Sequence, residues 1–326
     1  MGKSKSEIIG DIRVPFCARS GTLRVSRRIL SSAFFAAYVL GFAFAINAQE
    51  IEPGAYARAP VGTNIVLVTY GYHTGDVLTD SSLPLRDVSV KFHSGTLAYS
   101  RTFALFGRQA NVGFGVPYIH GTATGTVFED LLAVKRSGLG DTRVRFSANL
   151  FGSPALHPRE FAAAKRKTLV GASLTVVAPT GQYDPNRLVN PGANRWAFKP
   201  EVGISKPAGR WTFETAAGVW LFTDNKNFFG GNRRAQDALL SLQGHVIYTF
   251  RPRMWVSGGG TYYNGGRTIV NGAANDDRMG NSRFGASFSY PLNNRHSLKF
   301  ATSRGLTARY GGRLTSVAVG WQYTWF

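Results

Sequence analysis

The sequence predicts an all-β fold: a transmembrane antiparallel up-and-down β-barrel of about twelve strands, preceded by a signal segment. Three observations predict it. In the last stretch of the chain, Val317, Val319, Trp321, Tyr323 and Trp325 alternate with Ser316, Ala318, Gly320, Gln322 and Thr324. A strand sends successive side chains to opposite faces, so this stretch has one apolar face and one small or polar face. About a dozen similar stretches precede it, joined by alternately short and long connections. The chain also holds a single long apolar run, near its start.

Bulk composition agrees. Mean hydropathy is only −0.11, which suits strands that are apolar on one face only. Glycine (38) and aromatic residues (13%) are plentiful, favouring β structure over helix. The lone cysteine, Cys17, precedes the apolar run, so it is not the lipid-bearing cysteine that follows a lipoprotein signal. The remainder of the chain has no disulfide or thiol chemistry. Net charge is +20; residues 1–48 hold seven basic and two acidic residues, +5, leaving +15 beyond them. Such a balance suits nucleic acid, an anionic membrane surface or an anionic solute.

In chain order, residues 1–48 read as a signal peptide. Lys3, Lys5, Arg13, Arg19, Arg24, Arg27 and Arg28 come first, Ile29 to Ile46 form the apolar run, and cleavage fits after Ala48 or Ala45. The rival, a permanent membrane anchor, sits near the lower length limit for a spanning helix. Residues 49–326 form the barrel. Its clearest strands are Asn111–Tyr118, Asp141–Phe151, Trp196–Lys206, Ala238–Phe250 and Arg283–Tyr290. Thr63–His73, Arg210–Thr223, Arg253–Asn264 and Ser297–Arg304 alternate less cleanly. In Val88–Phe103 the apolar phase slips near Gly95, which predicts a bulge there. The short connections are Phe106–Arg108, Pro207–Gly209, Arg251–Pro252 and Pro291–Arg295, and the final outer loop, Tyr310–Gly312, is short as an exception. The long ones are Gly75–Asp87, Gly121–Gly138, Thr180–Arg195, Asp224–Gln236 and Gly265–Asp277, with Gly152–Arg166 holding a helical turn on the short-turn side. Tight turns at one end and long loops at the other are the layout of a membrane barrel. Hydrocarbon leaves no partner for an open edge, so the last strand must meet Thr63–His73.

A soluble sandwich also alternates, but its second face would not carry Arg143, Arg145, Lys199, Glu201 and Arg283. On the barrel reading the lumen-facing candidates are Lys91, Arg143, Arg145, Lys199, Glu201, Glu214, His245, Arg283 and Lys299, since a charge facing lipid costs roughly 2–4 kcal/mol at the midplane. Glu201 and Glu214 are the acidic partners of a ladder that fills the barrel, or the cations form a constriction favouring anionic solutes such as aromatic carboxylates. Trp196, Trp211, Trp321, Tyr323 and Trp325 lie near strand ends, as membrane-interface anchors do.

Other chemistry finds little support. His245 and Ser241 share a strand face about 13 Å apart, too far for a nucleophile and its base, and no nucleophile-elbow motif occurs, so an enzyme is not expected. Asn275, Asp276 and Asp277 lack calcium-loop spacing and read as a solvated turn; no metal or cofactor is expected. Gly258–Gly260 lacks the phosphate-loop pattern and reads as relief of crowding inside the barrel. Nucleic acid is excluded as a partner by the signal segment and the absence of any recognition module.

Several motifs carry a resemblance. TVVAPTGQYDPNRLVNPGANRW (Thr175–Trp196) runs on as AFKPEVGISKP; QDALLSLQGHVIYTF, TYYNGGRTIVNG and NSRFGASFSYPLNNRHSLKFATSRG follow, and GLGD occupies Gly138–Asp141. With the closing strand, they resemble the outer-membrane family called "MetA-pathway of phenol degradation", over nearly all of residues 60–326. The resemblance implies a bacterial outer-membrane barrel that transports hydrophobic or aromatic compounds. The expected function is an outer-membrane channel for small hydrophobic or aromatic solutes by passive diffusion. The alternative is a plugged structural or adhesion barrel that binds partners through its outer loops. Expected partners are outer-membrane lipid, a small-molecule solute and the barrel-assembly machinery.

Overall fold

The computed structural model describes residues 53–78, 85–127 and 130–326. The expected signal segment and Cys17 lie outside them. The wall runs through β1 (Asn64–Leu78), β2 (Leu85–Leu105), β3 (Arg108–Val127), β4 (Asp130–Leu139), β5 (Thr142–Phe151), β6 (Leu169–Ala178), β7 (Ala197–Ala208) and β8 (Trp211–Phe222). After two short strands, β9 (Asn225–Phe228) and β10 (Asn232–Gln236), it resumes with β11 (Leu239–Arg251) and β12 (Met254–Gly265). Two more, β13 (Thr268–Val270) and β14 (Ala273–Ala274), precede β15 (Met279–Pro291), β16 (His296–Thr307) and β17 (Gly311–Trp325).

All wall pairings are antiparallel and follow chain order apart from β4 and β5, and β1 pairs with β17 from Asn64↔Trp325 to Leu78↔Gly311. The sheet therefore closes on itself, and β4 has its strand partner on one side, β3. β4 and β5 follow one another along β3, which pairs with β5 from Ala110 to Gly115 and with β4 from Tyr118 to Val127. They form one stave interrupted at Gly140–Asp141, and the barrel has twelve staves. Short turns close one end, at Phe106–Gly107 and Gly209–Arg210 among others. Residues 152–168 sit at that end and hold the helix α1 (Pro158–Ala163).

The exterior is apolar. Val68, Phe114, Phe146, Val202, Leu242, Phe284, Phe300, Val317 and Val319 are all exposed there. On β17 the outward apolar set runs from Val317 to Trp325. Eight residue steps cover about 27 Å of strand, or about 21 Å of membrane normal at a tilt of ~40°, close to the apolar band of an outer-membrane barrel.

Four expectations change. The register of β1 against β2 runs unbroken through Gly95, and the shift in β2 lies between Arg86 and Ser89, where Asp87 takes φ +52°. The even positions of β2 point inward throughout; what inverts near Gly95 is polarity. Beyond the bilayer the inside is apolar and the outside polar. Val88, Val90 and Phe92 are buried with Val77, Ile119, Ala123, Val189 and Leu314. Lys91 therefore points outward and is exposed, not into the lumen. Gly121–Gly138, expected as a loop, is strand to Val127 and again from Asp130, because Ala123 has that inner cluster to pack into. The polar loops Asp224–Gln236 and Gly265–Asp277 contribute β9, β10, β13 and β14 to a second, four-stranded sheet at the long-loop end.

Candidate functional site: the barrel interior

Residues 53–63 enter the barrel at its short-turn end, a feature without periodicity and so invisible to pattern reading. The Gly54 N–H donates to Glu214 Oε2 at 2.7 Å, and Ser205 donates to Glu214 Oε1 at 2.9 Å. Gln109 holds the segment on the other side: its Oε1 accepts from Ala59 N–H at 3.1 Å and its Nε2 donates to the Ala57 carbonyl at 3.1 Å. Arg58 donates to the Lys165 carbonyl at 2.7 Å and lies over the Phe161 ring of α1. Between these anchors Tyr56 is buried, at 5% exposure. Its ring occupies a slot made by Gly171 and Gly203, which face each other across β6 and β7. A Cβ at either glycine would overlap the ring.

The Tyr56 hydroxyl donates to Glu201 Oε1 at 3.1 Å and lies 3.2 Å from Ser173 Oγ. Glu201 is the hub of the inner face. It pairs with Lys199 at 3.0 Å and Arg145 at 3.4 Å, and accepts from Gln243 Nε2 at 2.8 Å. Arg145 also covers the Tyr56 ring at 5.4 Å, and Lys199 covers Trp220 at 5.4 Å. Burial pushes the Tyr56 phenol up to about 12, opposed in part by Ser173 and reinforced by the nearby Glu201 charge.

The predicted ladder is thus narrower than expected. Glu201 joins two cations, but Glu214 is bound to a backbone amide and a hydroxyl, so its expected cation pairing is replaced by a hold on the entering segment. Arg283 donates to Ser303 at 2.9 Å and to Ser316 at 2.6 Å. Ser316 also lies 2.8 Å from His73 Nδ1, whose ring stacks on Phe92. His245 is buried opposite Gly259, where a Cβ would overlap its ring; Gly259 is the member of Gly258–Gly260 that relieves inner crowding. Asp277 accepts from Thr268 N–H and Oγ1 at 2.7 and 2.6 Å, so the Asn275–Asp277 turn is bonded internally.

Above Tyr56 lies a chamber of about 500 Å³. One wall, from β1, β2 and β3, is small or apolar: Ile65, Leu67, Thr69, Ala98, Gly113, Gly115 and Pro117. At the flanks of this wall stand Arg143 and Arg145, from β5 beside Gly115 and Gly113, and Lys299, from β16, with Asn111, Asp141 and Gln322 also in the lining. A pocket of this size holds a small organic molecule, and its apolar wall with cations at the flanks suits one with an apolar body and an anionic end.

The roof of the chamber is built from the sequence motifs. Asp141, buried at the break in the β4–β5 stave, accepts from Gly181 N–H at 2.9 Å and Ala193 N–H at 2.8 Å. The Gly140 N–H donates to the Pro117 carbonyl, and Gln182 N–H to the Leu139 carbonyl, both at 2.8 Å. GLGD, APTGQYD and NPGANRW thereby meet at one carboxylate. Of the aromatic anchors, Trp196 and Trp211 are exposed at strand ends, while Trp321, exposed within β17, stacks in series with Tyr323 and Trp325 beside His296.

A closed barrel wrapped in an apolar belt is the form in which strands cross a bilayer, and the chain is an outer-membrane β-barrel. Residues 69–321 match the family described as "Putative MetA-pathway of phenol degradation". Among solved structures the chain is similar to the COG4313 outer membrane channel from Pseudomonas putida F1, at 23% identity and TM-score 0.71, over 85% of this chain and 100% of that one. It is also similar to the KdgM porin in complex with disordered oligogalacturonate, at 10% identity and TM-score 0.45, over 80% of this chain and 99% of that one. The P. putida toluene transporter TodX gives 10% identity and TM-score 0.43, over 84% of this chain and 92% of that one. The last two likenesses extend to barrel form alone. No curated protein matches the chain. With a match that runs from β1 to β17, the protein belongs to the MetA-pathway of phenol degradation family.

Proposed function

We propose that the barrel is a channel through which small hydrophobic or aromatic solutes cross the outer membrane by passive diffusion, and that it is not an enzyme. The observation that carries this reading is the chamber: about 500 Å³, with a small or apolar wall flanked by Arg143, Arg145 and Lys299. That polarity favours aromatic carboxylates over neutral aromatics, because fixed cations lower the barrier for an anion in a confined space. Tyr56 and the entering segment narrow the periplasmic exit. In keeping with this reading, residues 1–48 serve as a cleaved signal, the barrel-assembly machinery inserts the chain, and Trp196, Trp211, Trp321, Tyr323 and Trp325 anchor it at the membrane interfaces.

Planar-bilayer recordings test the reading. Benzoate at millimolar concentration should block the ion current in a concentration-dependent way, and R143A/K299A should weaken the block about tenfold. A current indifferent to benzoate and toluene alike would refute the reading. A second reading, a plugged barrel that binds partners through its loops, draws on the four-stranded outer sheet and the filled Tyr56 slot; absence of any conductance would favour it.

A further inference from the structure

The polarity inversion that carries Lys91 outward has a counterpart around the wall. The register places Arg304 opposite Thr315, Thr315 opposite Thr74, Thr74 opposite Lys91, Lys91 opposite Thr122, and Thr122 opposite Lys135. These six residues form one outward row across β16, β17, β1, β2, β3 and β4. Three cations share the row with three threonine hydroxyls, two of them between Arg304 and Lys91 and one between Lys91 and Lys135, and no carboxylate interrupts them. Arg304, Lys91 and Lys135 are exposed, and among the described residues none of the three is ion-paired. At about 4.8 Å per strand, Lys91 stands roughly 14 Å from Arg304 and roughly 10 Å from Lys135.

The position of the row gives it meaning. Two rows nearer the short-turn end, the outward residues are Phe300, Val319, Tyr70, Gly95, Tyr118 and Leu139, the edge of the lipid-facing band. Between them lies a mixed row, with Val317, Tyr72, His93 and His120; the Tyr70 hydroxyl is 2.6 Å from His93 Nδ1. The cations therefore stand where acyl chains give way to headgroups, on rigid strands, with hydroxyl donors beside them. Behind the row, Val90, Phe92 and Leu314 are buried, so these side chains cannot turn inward.

We propose that this row binds the phosphate groups of an anionic lipid of the outer leaflet, a glycolipid bearing two phosphomonoesters spaced to meet two of the three cations at once. Lysine and arginine take phosphate as charge-assisted donors, and two linked phosphates meeting two fixed cations gain affinity from effective concentration. The surface is separate from the chamber and does not depend on what the channel carries.

The test uses the whole mature barrel in detergent. It is mixed with diphosphorylated lipid A, enzymatically dephosphorylated lipid A or phosphatidylcholine, and the lipid retained is counted by native mass spectrometry. Wild type should retain the diphosphorylated lipid at least tenfold better than either of the others. K91A/K135A/R304A should lose that preference, K91R/K135R should keep it, and K226A/R233A in the outer loops should leave it unchanged. Inorganic phosphate at 10 mM, a free-anion competitor at ~10 mM, should not displace the lipid. Equal retention of phosphorylated and dephosphorylated lipid by wild type overturns the proposal without reference to any variant. So does unchanged retention by a folded triple variant, or displacement by inorganic phosphate.

Discussion

Glu201→Gln removes the charge at the hub of the barrel interior while keeping its shape. The carboxylate holds Arg145, Lys199, Gln243 and the Tyr56 hydroxyl. Breaking a fully buried ion pair costs roughly 3–5 kcal/mol. Arg145 and Lys199 keep 21% and 12% of their side-chain surface in contact with solvent, so part of that loss is recovered by water, and about 2–3 kcal/mol is the expected destabilisation. Docking of Tyr56 weakens as well. Its bond to a charged acceptor contributes roughly 1.5–3 kcal/mol, against roughly 0.5–1.5 kcal/mol for the amide oxygen of glutamine, so the undocked population rises about five- to tenfold. Two assays read this: urea unfolding in lipid bilayers followed by heat-modifiable gel mobility, and single-channel current. The variant should unfold at lower urea and show a larger or noisier conductance that is more anion-selective. An unchanged unfolding midpoint together with unchanged current would refute the hub role of Glu201 and the docking role of Tyr56.

Four further outcomes follow from the same geometry. Gly203→Ala places a Cβ against the Tyr56 ring and should raise conductance as Tyr56→Ala does, with no additional effect when the two are combined. Because the docked phenol is pushed up to about 12 while a free tyrosine ionises near ~10, docking is unaffected below pH 10; between those values the undocked form releases its proton first and docking weakens as pH rises, so current should increase there in wild type and not in Tyr56→Phe. Asp141→Ala frees the amides of Gly181 and Ala193; trypsin should then cut at the half-exposed Arg187 at least about tenfold faster, since one charged hydrogen bond is worth roughly 1.5 kcal/mol or more. Val68→Arg, paired with Trp321 midway along the outward apolar set of β17, faces lipid and should lower bilayer stability by roughly 2–4 kcal/mol, seen as a lower urea midpoint.

Much of the wall was legible because its pattern has one cause. In Asp141–Phe151 and Ala238–Phe250 every apolar residue on one face meets lipid, so a period of two identifies both the strand and its outward side. The closing pair, Val317–Trp325 with Thr63–His73, follows from the need to leave no edge in hydrocarbon. The same logic misplaced Lys91. It assumes that the apolar face is always the outer one, and β2 leaves the bilayer near Gly95, after which water is outside and the loop cluster inside. Gly121–Gly138 was hidden for a related reason: Thr, Gly and Ala read as loop composition unless the inner cluster around Leu314 is known. The entering segment carries no period at all. Tyr56 in Pro-Gly-Ala-Tyr-Ala-Arg gains its meaning only from Gly171 and Gly203, more than a hundred residues away and silent as a pair in the sequence. The acidic partners were half legible: Glu201 and Glu214 share the inward phase, but only the position of the Gly54 amide decides that Glu214 holds backbone.

The channel reading is tested most directly by solute flux. Purified barrel reconstituted in phosphatidylcholine vesicles should admit radiolabelled benzoate faster than protein-free vesicles, with a rate linear in concentration at low solute and raised further by Tyr56→Ala. Vesicles containing folded barrel that admit benzoate, toluene and phenol no faster than protein-free vesicles, with either wild type or Tyr56→Ala, would contradict it.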